Sequence, residues 1–73
     1  MDTINVTITH EDRMYVAECK EIPAVTQAST LDELMRNIRE VVEITLESED
    51  LRLFGFTSFP KIAVRYELET EYA

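Results

Sequence analysis

Several short stretches of this chain alternate apolar and polar residues with period two, and one longer stretch repeats its apolar residues at the three-and-four spacing of a helix. From Thr3 to Thr9, Ile4, Val6 and Ile8 fall on one side and Asn5, Thr7 and Thr9 on the other. β-Branched residues on both sides predict a half-buried strand. A polar run, His10-Glu11-Asp12-Arg13, predicts a hairpin loop without the Asn-Gly pair of the tightest turns. Met14 to Cys19 predicts the second strand, antiparallel to the first. Pro23 interrupts regular structure, and Val25 to Ala28 predicts a short third strand. Lys61 to Leu68 alternates again, with Ile62, Val64, Tyr66 and Leu68 on one side and Ala63, Arg65 and Glu67 on the other. Residues Glu69 to Ala73 are expected to fray.

Between the third and last strands lies the helix. Thr30 and Glu33 form a capping box, in which the Thr30 hydroxyl accepts from the Glu33 N–H and the Glu33 side chain reaches back to the Thr30 N–H. Asp32 and Glu33 sit at the positive end of the helix dipole. Leu31, Leu34, Met35, Ile38, Val41, Val42 and Leu46 then make one buried stripe, and the helix is expected to end near Glu47 or Ser48. The order β-β-β-α-β, with one apolar sheet face and one apolar helix stripe, predicts a two-layer α+β sandwich in a single domain spanning residues 1–73.

Four short pieces, Tyr15-Val16-Ala17, Ile22-Pro23, Thr26-Gln27 and Thr30-Leu31-Asp32-Glu33, follow one another between Met14 and Leu46, and in this order they resemble the HicB-like antitoxin family. They stand where that family has a Tyr-Val-Ala strand, a Leu-Pro bend, a Thr-Gln segment and a Thr-Leu-x-Glu helix start. The resemblance covers Ile4 to about Leu68 and implies a partial ribonuclease H-like fold. It also implies an inhibitor of a small basic toxin, one with a double-stranded-RNA-binding-like fold that cleaves messenger RNA. Inhibition in that family is by occlusion of the toxin's RNA-binding surface and catalytic His. The chain departs from the pattern at Ala24 and Ala28, where such proteins often have Gly. Many relatives carry a C-terminal DNA-binding domain; with its end at Ala73 this chain is expected to be a short form without one.

Composition narrows the function classes. Fifteen acidic residues against seven basic ones give a net charge of -8, and the pI is near 4.4. Repulsion from phosphates opposes binding to nucleic acid or an anionic membrane, whereas a basic protein is drawn in. The one cysteine, Cys19, allows no disulfide within the chain and fits a reducing compartment. The first residues lack the basic and apolar regions of a signal peptide, and no apolar run approaches the roughly 20 residues of a membrane span. A cytoplasmic protein is expected.

The residues offer little for catalysis. Two-metal hydrolysis needs carboxylates converging from strand centres, but the first strand has none and Glu18 and Glu67 are isolated. His10, Glu11 and Asp12 are consecutive in a loop and diverge, whereas metal coordination wants convergence. Cys19 beside Lys20 has no second Cys or His to complete a catalytic pair, so a buried strand thiol is expected. One glycine, Gly55, cannot build a phosphate loop. The expectation is a non-catalytic protein with no metal or cofactor.

Binding is better supported. Glu18, Glu21, Glu40 and Glu43 are candidate contacts for a basic toxin on charge alone. Ile44 lies off the helix's apolar stripe, and Phe54, Phe56 and Phe59 crowd the connection after the helix. Some of these Phe are expected to cover the chain's own core and the rest to meet another chain. At this length a core supplies only about 3–5 kcal/mol without further help. A homodimer is therefore expected. The alternative to an antitoxin is a free-standing homo-oligomeric accessory or regulatory module of the same fold.

Overall fold

A computed structural model describes residues 3–48 and 51–67. Strands β1 (Thr3–Glu11), β2 (Met14–Cys19) and β3 (Val25–Ala28) precede helix α1 (Leu31–Ser48). A short 3-10 turn, Leu51–Phe54, follows, and then strand β4 (Lys61–Tyr66). The strands form one mixed sheet in the order β3-β2-β1-β4, antiparallel except for the parallel β1–β4 pair. One helix against one face of this sheet is a small α+β architecture.

β2 and β3 have the bounds expected of the second and third strands, and α1 ends at Ser48, within the expected Glu47–Ser48 stretch. Thr30 caps the helix as expected, its hydroxyl accepting from the Glu33 N–H at 3.2 Å. The Asn37 side chain donates to the Gln27 carbonyl oxygen at 3.3 Å and ties α1 to β3. The first hairpin is tighter than the polar run suggests. β1 continues through His10 and Glu11, Glu11 pairs with Met14, and only Asp12 and Arg13 make the turn. Asp12 takes a φ of 53°, a left-handed conformation that Asp tolerates better than most residues. The predicted Leu68 end of β4 and the fraying of Glu69 to Ala73 lie outside the described residues.

The bend at Pro23 needs no glycine. The Ala24 N–H donates to the Ile22 carbonyl oxygen at 2.9 Å across Pro23, and the Cys19 N–H donates to the Ala24 carbonyl oxygen at 3.0 Å. A turn closed over a single residue suits the fixed φ of proline. The methyl groups of Ala24 and Ala28 are both buried in the core. At Gly55, by contrast, φ is 85°, and a Cβ there would be disfavoured. The Gly55 N–H closes on the Arg52 carbonyl oxygen and the Phe56 N–H on that of Leu51, both at 3.1 Å. This turn drives Phe56 into the core.

The core joins Ile4, Val6 and Ile8 of β1, Ala17 and Cys19 of β2, Ile22, and Leu34, Ile38, Val42 and Leu46 of α1, with Phe56 among them. The helix packs most closely on β3 and β2. A helix about 10–12 Å wide spans only two or three strands spaced about 4.8 Å apart. β4 is thus left at the margin: Ile62 is half-buried, while Val64 and Tyr66 are each 40% exposed. Met35, expected within the buried stripe, faces this margin and is 42% exposed.

Candidate partner-binding surfaces

Among the described residues there is no group of three or more His, Cys, Asp or Glu side chains that could hold a metal ion. His10 does not join Glu11 and Asp12; its ring stacks on Tyr15, its cross-strand partner, with centroids 4.4 Å apart. Tyr15 meets Tyr66 edge-on at 6.0 Å. These rings close the sheet's helix-side face at the end near the start of α1. The Cys19 thiol is buried, and burial, with the nearby Glu21 and Glu18 charges, pushes its pKa up. A thiol in that setting is a poor nucleophile.

The candidate contact residues part company in the structure. Glu18 is exposed on the sheet face away from the helix, while Glu40, Glu43 and Ile44 are exposed on α1, Ile44 at 64%. Phe59 is 52% exposed, Phe54 is half-buried against the core, and Phe56 is completely buried. Phe56 therefore serves the core and is no surface contact, because the turn at Gly55 points it inwards. Glu21 also has internal work. Its carboxylate accepts from the Asn5 backbone N–H and from the Asn5 side-chain amide, both at 2.7 Å. Partial desolvation pushes the Glu21 pKa up, but the hydrogen bonds from Asn5 outweigh it and hold the carboxyl below its ordinary value.

Two surfaces emerge. The first is the C-terminal half of α1, where Glu40, Glu43 and Glu47 are exposed around Ile44 and no basic residue stands in the last turn. Glu40 and Glu43 are three apart and Glu43 and Glu47 four apart, spacings at which like charges on a helix repel, and Glu47 in the last turn also meets the negative end of the helix dipole, so a cation here would be favoured. The second is an open apolar groove between α1 and β4, lined by Met35, Ile38, Ile62 and Val64 and bordered by Arg36, Arg39 and Glu40. No sequence signal marks this groove, since its residues satisfy the same periodicity as the buried ones.

The chain is 48% identical over 56 residues to a UPF0150 protein of Synechocystis sp., an alignment covering 74% of this chain and 81% of the relative. The chain belongs to the UPF0150 family. No family model and no solved structure matches it. Both surfaces are thus features of a UPF0150 domain whose helix leaves one strand uncovered. No helix among the described residues is long and apolar enough to cross a membrane.

Proposed function

We propose that this UPF0150 protein is a HicB-like antitoxin with a partial ribonuclease H-like fold, which inhibits a small basic messenger-RNA-cleaving toxin by covering its RNA-binding surface. It does so without catalysis, metal or cofactor, and without contacting nucleic acid itself. The observation that carries this reading is the acidic C-terminal half of α1. Glu40, Glu43 and Glu47 surround the exposed Ile44 at the three-and-four spacing at which like charges on a helix repel one another. A basic partner would relieve that repulsion, while Ile44 supplies an apolar contact at the centre of the patch. Glu18 adds negative charge on the far sheet face, which together with the net charge of -8 steers a cationic protein inwards.

The test is a search for a short basic protein encoded beside this chain and reconstitution with it. Stoichiometric addition should stop its cleavage of messenger RNA, and the paired change Glu40→Lys with Glu43→Lys should weaken the complex by at least tenfold. A fold check by circular dichroism accompanies the variant. Unimpeded cleavage in the presence of the wild-type chain, or the lack of any such neighbour, would sink the reading. One observation favours a second reading, a free-standing homo-oligomeric accessory module: the apolar groove beside β4, open among the described residues, is bordered by two arginines and one glutamate, Arg36, Arg39 and Glu40, a net positive rim that suits an acidic occupant better than a basic one.

A further inference from the structure

Among the described residues no strand pairs with the outer edge of β4, and that edge is more selective than an unpaired edge needs to be. The Glu67 N–H donates to the Ile8 carbonyl oxygen at 3.0 Å, and Ile8 is paired with Tyr66. In a parallel ladder this turns the odd-numbered residues of β4 towards β1, so that Ile62, Val64 and Tyr66 direct their N–H and C=O groups outwards. The side chains of the same residues lie on the helix side of the sheet, in register with the buried Ile4, Val6 and Ile8. Lys61, Ala63, Arg65 and Glu67 carry the opposite face.

We propose that a second copy of this chain occupies this edge: β4 pairs antiparallel with β4 of its partner about a two-fold axis through Val64, joining the two sheets into one. The inference is independent of the antitoxin reading and concerns the chain alone. A two-fold axis perpendicular to the sheet keeps both helices on the same face and sets only residues of equal parity opposite each other. With Val64 opposite Val64, Ile62 meets Tyr66 on the helix side and Ala63 meets Arg65 on the other. Lys61 then meets Glu67 twice, once at each end of the ladder. Every outward N–H and C=O of Ile62, Val64 and Tyr66 finds a partner.

The neighbouring registers are worse. Centring the axis on Ala63 sets Lys61 opposite Arg65 and Tyr66 opposite Pro60, which has no N–H to give. Centring it on Arg65 sets that residue against its own copy. Like charges directly opposite are destabilising and opposite charges favourable, and larger offsets shorten the ladder. The charges along β4 thus select one register. The same charges argue against a basic protein here, since Arg36 and Arg39 border the groove and Lys61 and Arg65 lie on β4 itself.

The test uses the whole chain. Sedimentation equilibrium at micromolar concentration should give twice the chain mass, and Lys61→Glu or Glu67→Lys alone should weaken the dimer by about tenfold, the combined substitution restoring it. Lys61 and Glu67 are too far apart along one extended strand to pair within a copy, so recovery reports a contact between copies. In a Cys19→Ser background, Val64→Cys should form an intermolecular disulfide under mild oxidation faster than Ala63→Cys does, because only residue 64 faces itself. A single monomeric species throughout the range would overturn the proposal. So would a dimer indifferent to the charge reversals, or one in which Ala63→Cys cross-links at least as fast as Val64→Cys.

Discussion

β1 and β4 lie side by side, with Ile4 opposite Ile62, Val6 opposite Val64 and Ile8 opposite Tyr66. Their alternation is the same, their side chains share a face, and their fates differ. The three β1 residues are essentially inaccessible, while Val64 and Tyr66 remain substantially exposed. The difference arises from coverage. A single helix packed mainly on β3 and β2 reaches over β1 and no further. Periodicity assigns a side chain to a face, but how far the opposite layer extends decides whether that face is dry.

The contrast should be visible in stability. The largest effect is expected from the connection that delivers β4 to the sheet. Phe56→Ala empties a fully buried aromatic site and should cost about 3–5 kcal/mol, whereas Phe59→Ala, at a residue 52% exposed, should fall within about 0.5 kcal/mol. Urea unfolding of the pair decides it, and similar losses for both would mean that the connection is covered differently. Next in size, Ile8→Ala should cost about 2–5 kcal/mol and Val64→Ala less than about 1 kcal/mol, measured at protein concentrations low enough to leave association out. Equal losses would erase the distinction between the two strands.

The smallest effect sharpens the comparison from the other face. β1 carries a latch on its outer face, the Glu21 carboxylate on the Asn5 amides. Because the folded chain holds this carboxyl below its ordinary value, its contribution is complete above the unfolded value of about 4.3 and is lost as pH falls through the folded value. Glu21→Gln should therefore lower the urea midpoint slightly at neutral pH, and the gap from wild type should close in acid. A gap that stays constant down to low pH would show that the latch works through shape rather than charge.

Much of the fold was legible in the residues. Strict alternation marked β1 and β4, the break at Pro23 separated β2 from β3, and the Thr30 cap set the start of α1 with the partner atom it was expected to have. The hairpin is tighter than its polar residues predict because His10 is polar yet stays in the strand, where Tyr15 offers it a ring to stack on. Ala24 and Ala28 departed from the family pattern without disturbing the bend, since Pro23 supplies the turn. The surfaces were less legible. Ile44 could be placed outside by its helical angle, but Met35 and Val64 obey the core periodicity and are exposed only because the helix stops short of β4. Glu21 looked like any surface acid, and nothing local announces that Asn5, remote in sequence, takes both its oxygens. Of the phenylalanines, only the left-handed turn at Gly55 distinguishes Phe56 from its neighbours.

The parallel pairing of β1 with β4 also orders events in time. β1, β2, β3 and α1 are sequential neighbours whose contacts close over short loops, but β4 must be brought back from the far end of the chain to the first strand. Loop closure of that length comes late on entropic grounds. During synthesis the chain therefore passes through a stage in which β1, the future second strand from the edge, is itself an open edge with its N–H and C=O groups unmet. The last strand to arrive both completes the ladder and shields the first strand from other chains in the cell.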